Sequence, residues 1–259
     1  MSFKPDSNLA DRVVPTPNHG DRRDGPRADI LLLHYTGMQS GQAALDRLCD
    51  PIAKVSSHYM VFENGAIVQM VPEARRAHHA GASLWHGDDD INSRSIGIEI
   101  ENPGHEFGYP DYPKAQVHAV IELCRDIIAR RKIPPDYVLG HSDVAPTRKQ
   151  DPGEKFPWAQ LHRSGVGLWV EPAPIVADTA TARSLKRGDK SDAVAELQKQ
   201  LAAYGYGVPT AGAYDELTEA VVAAFQRHFR PARVDGIADA STLATLRALL
   251  AARAALKKA

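Results

Sequence analysis

Ile30-Leu31-Leu32-Leu33, running into His34-Tyr35-Thr36-Gly37, is the stretch that decides the fold. A short continuous apolar run without alternation suits a central strand covered on both faces, and such strands belong to layered α/β sheets. A histidine therefore stands where a buried strand gives way to a loop. Upstream, the first thirty residues are polar and Pro-rich and are expected to form a loop-like lead-in. Downstream, residues 42–49 suit a short helix stopped before Pro51. Residues 58–62 and 66–71 are β-prone runs joined by Glu63-Asn64-Gly65, a strong hairpin signal. In Ile96-Gly97-Ile98-Glu99-Ile100, alternation puts the isoleucines on one face of a strand and Glu99 on the other. Residues 112–131 carry Val117, Val120, Ile121, Cys124, Ile127 and Ile128 at helical spacing, with Pro134-Pro135 as the stop. Residues 137–140 form a last short strand that delivers His141.

At 259 residues the chain exceeds the usual size of one domain, ~100–150 residues. Residues 1–170 read as an α/β domain, a mixed β-sheet flanked by helices. Residues 171–183 are rich in Pro, Ala and Thr without periodicity and read as a linker. Residues 184–255 read as a small all-α domain of three helices, near 191–204, near 215–229 and after Asp239. Val194, Leu197 and Leu201 mark the buried stripe of the first, Leu217, Val221, Phe225 and Phe229 that of the second.

Bulk composition narrows the function. Apolar residues make up 43% and charged residues 24%, as in a globular protein. With 31 basic against 32 acidic residues there is no cationic excess for phosphate contacts, so nucleic acid is not expected as a partner. Apolar runs are short, so no membrane span is expected. Two cysteines, Cys49 and Cys124, exclude a disulfide framework and leave one bridge open. No apolar stretch of signal-peptide type follows Met1-Ser2-Phe3-Lys4-Pro5-Asp6, and a cytoplasmic location is expected on that ground.

Four residues stand out for chemistry. His34 and His141 each follow a strand, and Asp151 lies in the loop Thr147-Arg148-Lys149-Gln150-Asp151-Pro152-Gly153. Strand ends and the loops after them are where α/β folds build sites. Two imidazoles and a carboxylate are a normal protein set for a catalytic zinc. Each has an ordinary alternative: a hydrogen-bonded structural histidine, or an aspartate capping a turn. Glu99 sits mid-strand, where a carboxylate is expensive unless paired or functional; a solvated face or a pair with Arg94 are its plain alternatives.

Several segments occur together in one order: Ile30 to His34, Ser57-His58-Tyr59, His79-Ala80-Gly81, Asn92 with Ser95 to Glu99, and Gly140-His141-Ser142-Asp143-Val144-Ala145-Pro146 followed by Arg148-Lys149 and Asp151-Pro152-Gly153. Over roughly residues 10–165 they resemble the type 2 N-acetylmuramoyl-L-alanine amidases, the group of cell-wall recycling amidases, phage lysozyme-type amidases and peptidoglycan recognition proteins. The resemblance implies a Zn2+ hydrolase with His34, His141 and Asp151 as metal ligands. It implies cleavage of the amide between the lactyl group of N-acetylmuramic acid and L-alanine. Glu99, rather than Glu101, falls on the family's general acid/base, and Lys149 on its oxyanion-stabilising lysine; such a donor is worth ~3–4 kcal/mol. His79 and Asn92 fall in segments that contact substrate or brace the site. His78 stands where an aromatic such as Trp is expected.

Residues ~184–250 resemble the peptidoglycan-binding type 1 module, through Leu185 to Asp189, Leu197-Gln198, Phe225-Gln226 and Val234 to Asp239. Peptidoglycan or muropeptide fragments are the partners both resemblances imply, with the chain acting as a monomer in cell-wall turnover or recycling. The wall-binding module makes the periplasm or envelope the alternative location. Two other functions share these features: a non-catalytic peptidoglycan sensor, and a zinc peptidase acting on the stem peptide.

Overall fold

The computed structural model of the chain describes residues 3–23, 25, 27–177 and 184–256. The described residues form eight strands: β1 (Arg12–Val13), β2 (His19–Gly20), β3 (Ile30–Tyr35), β4 (Tyr59–Val61), β5 (Ile67–Gln69), β6 (Arg76–Ala77), β7 (Ser95–Ile100) and β8 (Val138–Gly140). Six of them form one mixed sheet in the order β1-β5-β4-β7-β3-β8, while β2 and β6 form a small antiparallel pair. Within the six-stranded sheet β4, β7, β3 and β8 are mutually parallel, and the hairpin β4–β5 is its one antiparallel pairing among the described residues. The C-terminal ends of four adjacent strands therefore open on one edge, the place where sheets of this kind bind ligands.

Helices cover both faces. Leu31, Leu33, Ile96, Ile98 and Ile100 point to one side, where Val117, Val120, Ile121, Cys124 and Ile127 of α3 (Lys114–Arg131) close the core. Trp158 and Leu161 of α5 (Trp158–Arg163) belong to the same cluster. On the other face α1 (Gly41–Cys49) covers β4 and β5 through Ala44, Leu45 and Leu48. The N-terminus of α1 is stapled to β7 from sixty residues away: Glu101 accepts from Gly41 N–H, and from Glu63 N–H at 3.0 Å. A carboxylate there complements the helix dipole. Glu101 is thereby engaged in architecture, not in the cleft.

The rest of that second face is covered by the C-terminal helices α6 (Asp192–Tyr204), α7 (Glu216–Phe229) and α8 (Ala240–Leu256). Ile30, Leu32 and Leu139 of the sheet share one continuous core with Leu197, Leu201, Phe225, Phe229, Leu246 and Leu249. Trp85, fully buried, sits edge-on to Tyr204 and Tyr206. The two units thus dock through a common apolar interior. Of the expected linker, residues 171–177 are described, and Ala173 is tied to Ser241 and Thr245 of α8; residues 178–183 lie outside the described residues.

Two expectations need correction. The lead-in is not a free loop: β1 adds to the sheet edge beside β5, β2 pairs with β6, and Ser7, Thr16, Asn18 and Arg22 are buried. Two-residue strands carry no periodicity, so local pattern cannot reveal them. His34 does not follow its strand but is the fifth residue of β3, while His141 does follow β8 and begins a one-turn helix, α4 (His141–Val144). The short helix α2 (Ile91–Arg94), capped by Asp90, was also unforeseen. Both cysteines are free, and no described helix is long and apolar enough to cross a membrane.

The end of α3 is anchored by Glu73, which is fully buried. Burial alone would raise its pKa, but hydrogen bonds from Arg130, Tyr59 and Arg131 outweigh this and hold it at about 2. Stability from this group is complete above the ordinary value of 4.5 and is lost as pH falls towards about 2. Wild-type protein should lose up to about 1.4 kcal/mol per pH unit from Glu73 in that window. Chemical denaturation as a function of pH should show a flatter acid limb for Glu73→Gln.

Candidate active site

His34, His141 and Asp151 meet at the C-terminal ends of the parallel strands. His34 is the fifth residue of β3, on the same face as Ile30 and Leu32, and it lies in register beside Glu99 of β7. β8 pairs with the opposite edge of β3 and hands the chain to His141. His34 Nδ1 lies 2.9 Å from His141 Nδ1 and 3.1 Å from Asp151 Oδ2, and His141 Nδ1 is 3.0 Å from the same oxygen. All three side chains are buried. Donors ~2.0–2.1 Å from a tetrahedral ion stand ~3.3 Å from one another, so this triangle has the right edge for one metal. Among the described residues no other His, Cys, Asp or Glu group meets this criterion.

Electrostatics agree with ligation. Burial, then the neighbouring His141, lowers the His34 pKa to about 4, which keeps its ring neutral and its lone pair available. Burial would raise Asp151, but both histidines outweigh it and hold the carboxylate ionised, well below its usual range.

The far nitrogen of each of these two histidines has a partner, as a ring able to hold a metal generally requires. His34 Nε2 lies 2.9 Å from His79 Nδ1, and His79 Nε2 lies 3.3 Å from Ser95 Oγ. His141 Nε2 donates to the Ala80 carbonyl at 2.9 Å. Both acceptors thus come from the His79-Ala80 turn. Asn92 Oδ1 holds that turn by accepting from the N–H of His79 and of Ala80, at 3.0 and 2.8 Å. Arg148 adds a guanidinium bond to the Ala80 carbonyl. Of the two roles open to Asn92, its geometry is that of a brace. His79 lines the cleft and also orients His34. Its ring lies flat against the sheet at Gly97, where a Cβ would come within 2.6 Å of it.

Glu99 faces the same cleft, away from the isoleucine core. Its Oε2 is buried without a hydrogen-bond partner, and Arg94 pairs with Asp29 and Asp88 instead. Burial first, and the negative Asp151 second, push its pKa up to about 8, with Lys149 opposing. An unpaired, desolvated carboxyl beside a donor cluster is poised to exchange protons. The cleft has a volume of about 570 Å³ and includes Lys149, with Ala44, Arg47 and Leu48 of α1 forming the opposite wall. His78 lines it too. Residues that sequence reasoning missed are Tyr35 and His105, joined by a 3.0 Å hydrogen bond, with His105 in turn 3.1 Å from Glu154. Tyr35 follows a predicted ligand directly, which was the available signal; His105 had none.

Two nitrogen donors, one carboxylate oxygen and a neighbouring carboxylic acid in a cleft are the equipment of a metal-dependent hydrolase. Comparison with known proteins makes this specific. Residues 24–154 match the N-acetylmuramoyl-L-alanine amidase family, and residues 190–246 match a peptidoglycan-binding domain. The chain is 40% identical over 237 residues to the N-acetylmuramoyl-L-alanine amidase AmiD of Escherichia coli, covering 87% of this chain and 83% of AmiD. It is 34% identical to the E. coli 1,6-anhydro-N-acetylmuramyl-L-alanine amidase AmpD, over 58% of this chain and 89% of AmpD. The structure of E. coli AmiD in complex with anhydro-N-acetylmuramic acid-L-Ala-D-γ-Glu-L-Lys superposes with a TM-score of 0.72, covering 89% of this chain and 91% of that one. AmpDh3 of Pseudomonas aeruginosa gives 0.70 at 30% identity, covering 96% and 97%. The chain belongs to the N-acetylmuramoyl-L-alanine amidase family.

Two outcomes follow from this geometry. Gly97→Ala should cost about 1–3 kcal/mol, because the added Cβ would push the His79 ring off its bonds to His34 and Ser95, and should lower the thermal midpoint. Glu99 gives an opposite sign. Between about 4.5 and about 8 the folded, metal-free chain keeps a proton that the unfolded chain has released. Stability therefore falls as pH rises through that window, by up to about 1.4 kcal/mol per unit. Metal-free Glu99→Gln should melt above wild type at pH 8, and the gap should shrink towards pH 4.5.

Proposed function

We propose that this chain is a zinc-dependent amidase that hydrolyses the bond between the lactyl carbonyl of N-acetylmuramic acid and L-alanine in muropeptides, in cell-wall turnover or recycling. The observation that carries the reading is Glu99: a half-buried side chain whose Oε2 is fully buried without a partner, in register with His34 and beside the His34–His141–Asp151 triangle. A purely structural carboxylate would be paired or solvated. Relatives of the same two-domain length are amidases, and AmiD and AmpDh3 have been seen with anhydromuramic peptides.

His34, His141 and Asp151 would hold the zinc, which supplies Lewis acidity and lowers the pKa of water to ~7. Glu99 in its carboxylate form takes a proton from the attacking water and returns it to the alanine nitrogen as the C–N bond breaks. With a cation held by those three residues, Glu99 would come down from its raised value and be available as a base near neutrality. Lys149, at the cleft wall, offers an ammonium to the oxygen on which negative charge develops. His79 and the Ala80 carbonyl keep the two ligand rings in their tautomers. The helical domain holds the sugar-peptide polymer or its fragments near the cleft.

The test is a digest of muropeptides with and without the anhydro end, read by mass spectrometry. Zinc-loaded chain should release an intact stem peptide with a free N-terminal alanine. A chelator should abolish release, Glu99→Ala should slow it by ~10²–10⁴-fold, and Lys149→Ala by ~10²–10³-fold. Folded, zinc-loaded protein that binds fragments but leaves this bond intact would instead be a recognition protein.

A further inference from the structure

The metal loop is not held by the α/β domain alone. Asp143, two residues after His141, has a side chain only 1% exposed. Its Oδ2 accepts from its own turn, the Gly140 N–H, at 2.8 Å. Its other two partners come from the helical domain. Tyr206, just beyond α6, donates its hydroxyl to Oδ1 at 2.7 Å, and His228 of α7 donates Nδ1–H to Oδ2 at 2.8 Å. His228 is itself fixed between two aromatic rings, Trp158 of the α/β domain at 3.7 Å and Phe229 at 3.8 Å. Trp158 also packs beside Gly140, where a Cβ would meet both Trp158 and Pro152. The chain from Gly140 to Pro152 carries two of the three metal donors, and Ser142 N–H bonds the Asp151 carbonyl at 2.9 Å within it.

We infer that the helical domain is a structural part of the metal centre, with Tyr206 and His228 as positioning residues that hold Asp143 and, through it, the His141–Asp151 loop in ligating geometry. A domain serving only to tether the enzyme to the wall would need no such contact. A buried carboxylate with its partners removed is costly, and the cheapest escape for Asp143 is to rotate towards water. That rotation releases the Gly140 N–H and loosens the turn that aims His141. The effect is therefore directed at one loop rather than spread over the interface. The inference goes beyond the proposed activity, and only its metal-affinity readout rests on the zinc reading.

The experiment uses the full chain and four variants: His228→Ala, His228→Asn, Tyr206→Phe, and Arg253→Ala as a control. Arg253 bridges the same two domains elsewhere, through Asp136 just before β8, and has no bond to Asp143. Hydrogen exchange of metal-free protein should be about tenfold faster over residues 140–151 in His228→Ala and Tyr206→Phe. Zinc affinity, measured by competition with a chelating dye, should fall ~10–100-fold, the usual effect of removing a group that orients a ligand. The visible spectrum of the cobalt-substituted protein should change in parallel. His228→Asn, which keeps a donor near the Nδ1 position, should recover part of each effect. Arg253→Ala should lower the melting temperature and leave exchange at 140–151 and metal affinity as in wild type. Wild-type exchange and affinity in both His228→Ala and Tyr206→Phe would overturn the inference, as would equal changes in Arg253→Ala. A wild-type chain that takes up no zinc would defeat the zinc reading, while the exchange measurement would still decide the bracing.

Discussion

Everything at the site depends on the parallel pairing of β3 with β7 on one side and β8 on the other. The register places His34 directly beside Glu99 and ends β8 so that the next residue is His141. Strand side chains alternate with a period of two, so a slip of one residue in either pairing would send His34 or Glu99 into the opposite core or displace His141. The buried isoleucines of β7 resist that slip: Ile96, Ile98 and Ile100 belong under α3 and would have to enter the cleft face. Hydrophobic burial on one side of the sheet thus sets the position of polar chemistry on the other.

Around that pairing the molecule spends many polar contacts on holding loops. The His79-Ala80 turn supplies the outer partner of each ligand histidine, and Asn92 and Arg148 hold the turn. On the far side, Asp143 ties the His141 loop to the helical domain. The loop that carries His141 and Asp151 combines these side-chain contacts with a few backbone bonds of its own, such as Ser142 N–H to the Asp151 carbonyl. The fully shared apolar core between sheet and helices makes this possible, because it fixes the distance across which Tyr206 and His228 must reach.

Much of this was legible in the sequence. The central strand, the hairpin, the isoleucine strand, the long helix and the three C-terminal helices announce themselves through apolar period and capping residues. For the site, spacing offered candidates and the family resemblance chose among them; the structure brings His34, His141 and Asp151 into one triangle with Glu99 at its side. What stayed hidden is nonlocal. The two-residue strands β1, β2 and β6 exist only because a partner is in place. Glu101 caps a helix sixty residues away, which no local pattern encodes. Gln226 and His228 stand two residues apart on α7, on different sides of the helix and both buried, yet one pins a turn of its own domain and the other reaches the His141 loop. The docking of the two domains was hidden for the same reason: a Pro- and Ala-rich connection describes the chain between them and says nothing about their faces.

The central claim is that two imidazoles and one carboxylate, carried on β3 and the loop after β8, form a single zinc site. X-ray absorption at the zinc edge of protein loaded with one equivalent tests it directly. Four light-atom neighbours are expected, with multiple-scattering features of two histidines that drop to one in His34→Ala. A sulfur neighbour, or a spectrum unchanged by that substitution, would contradict it.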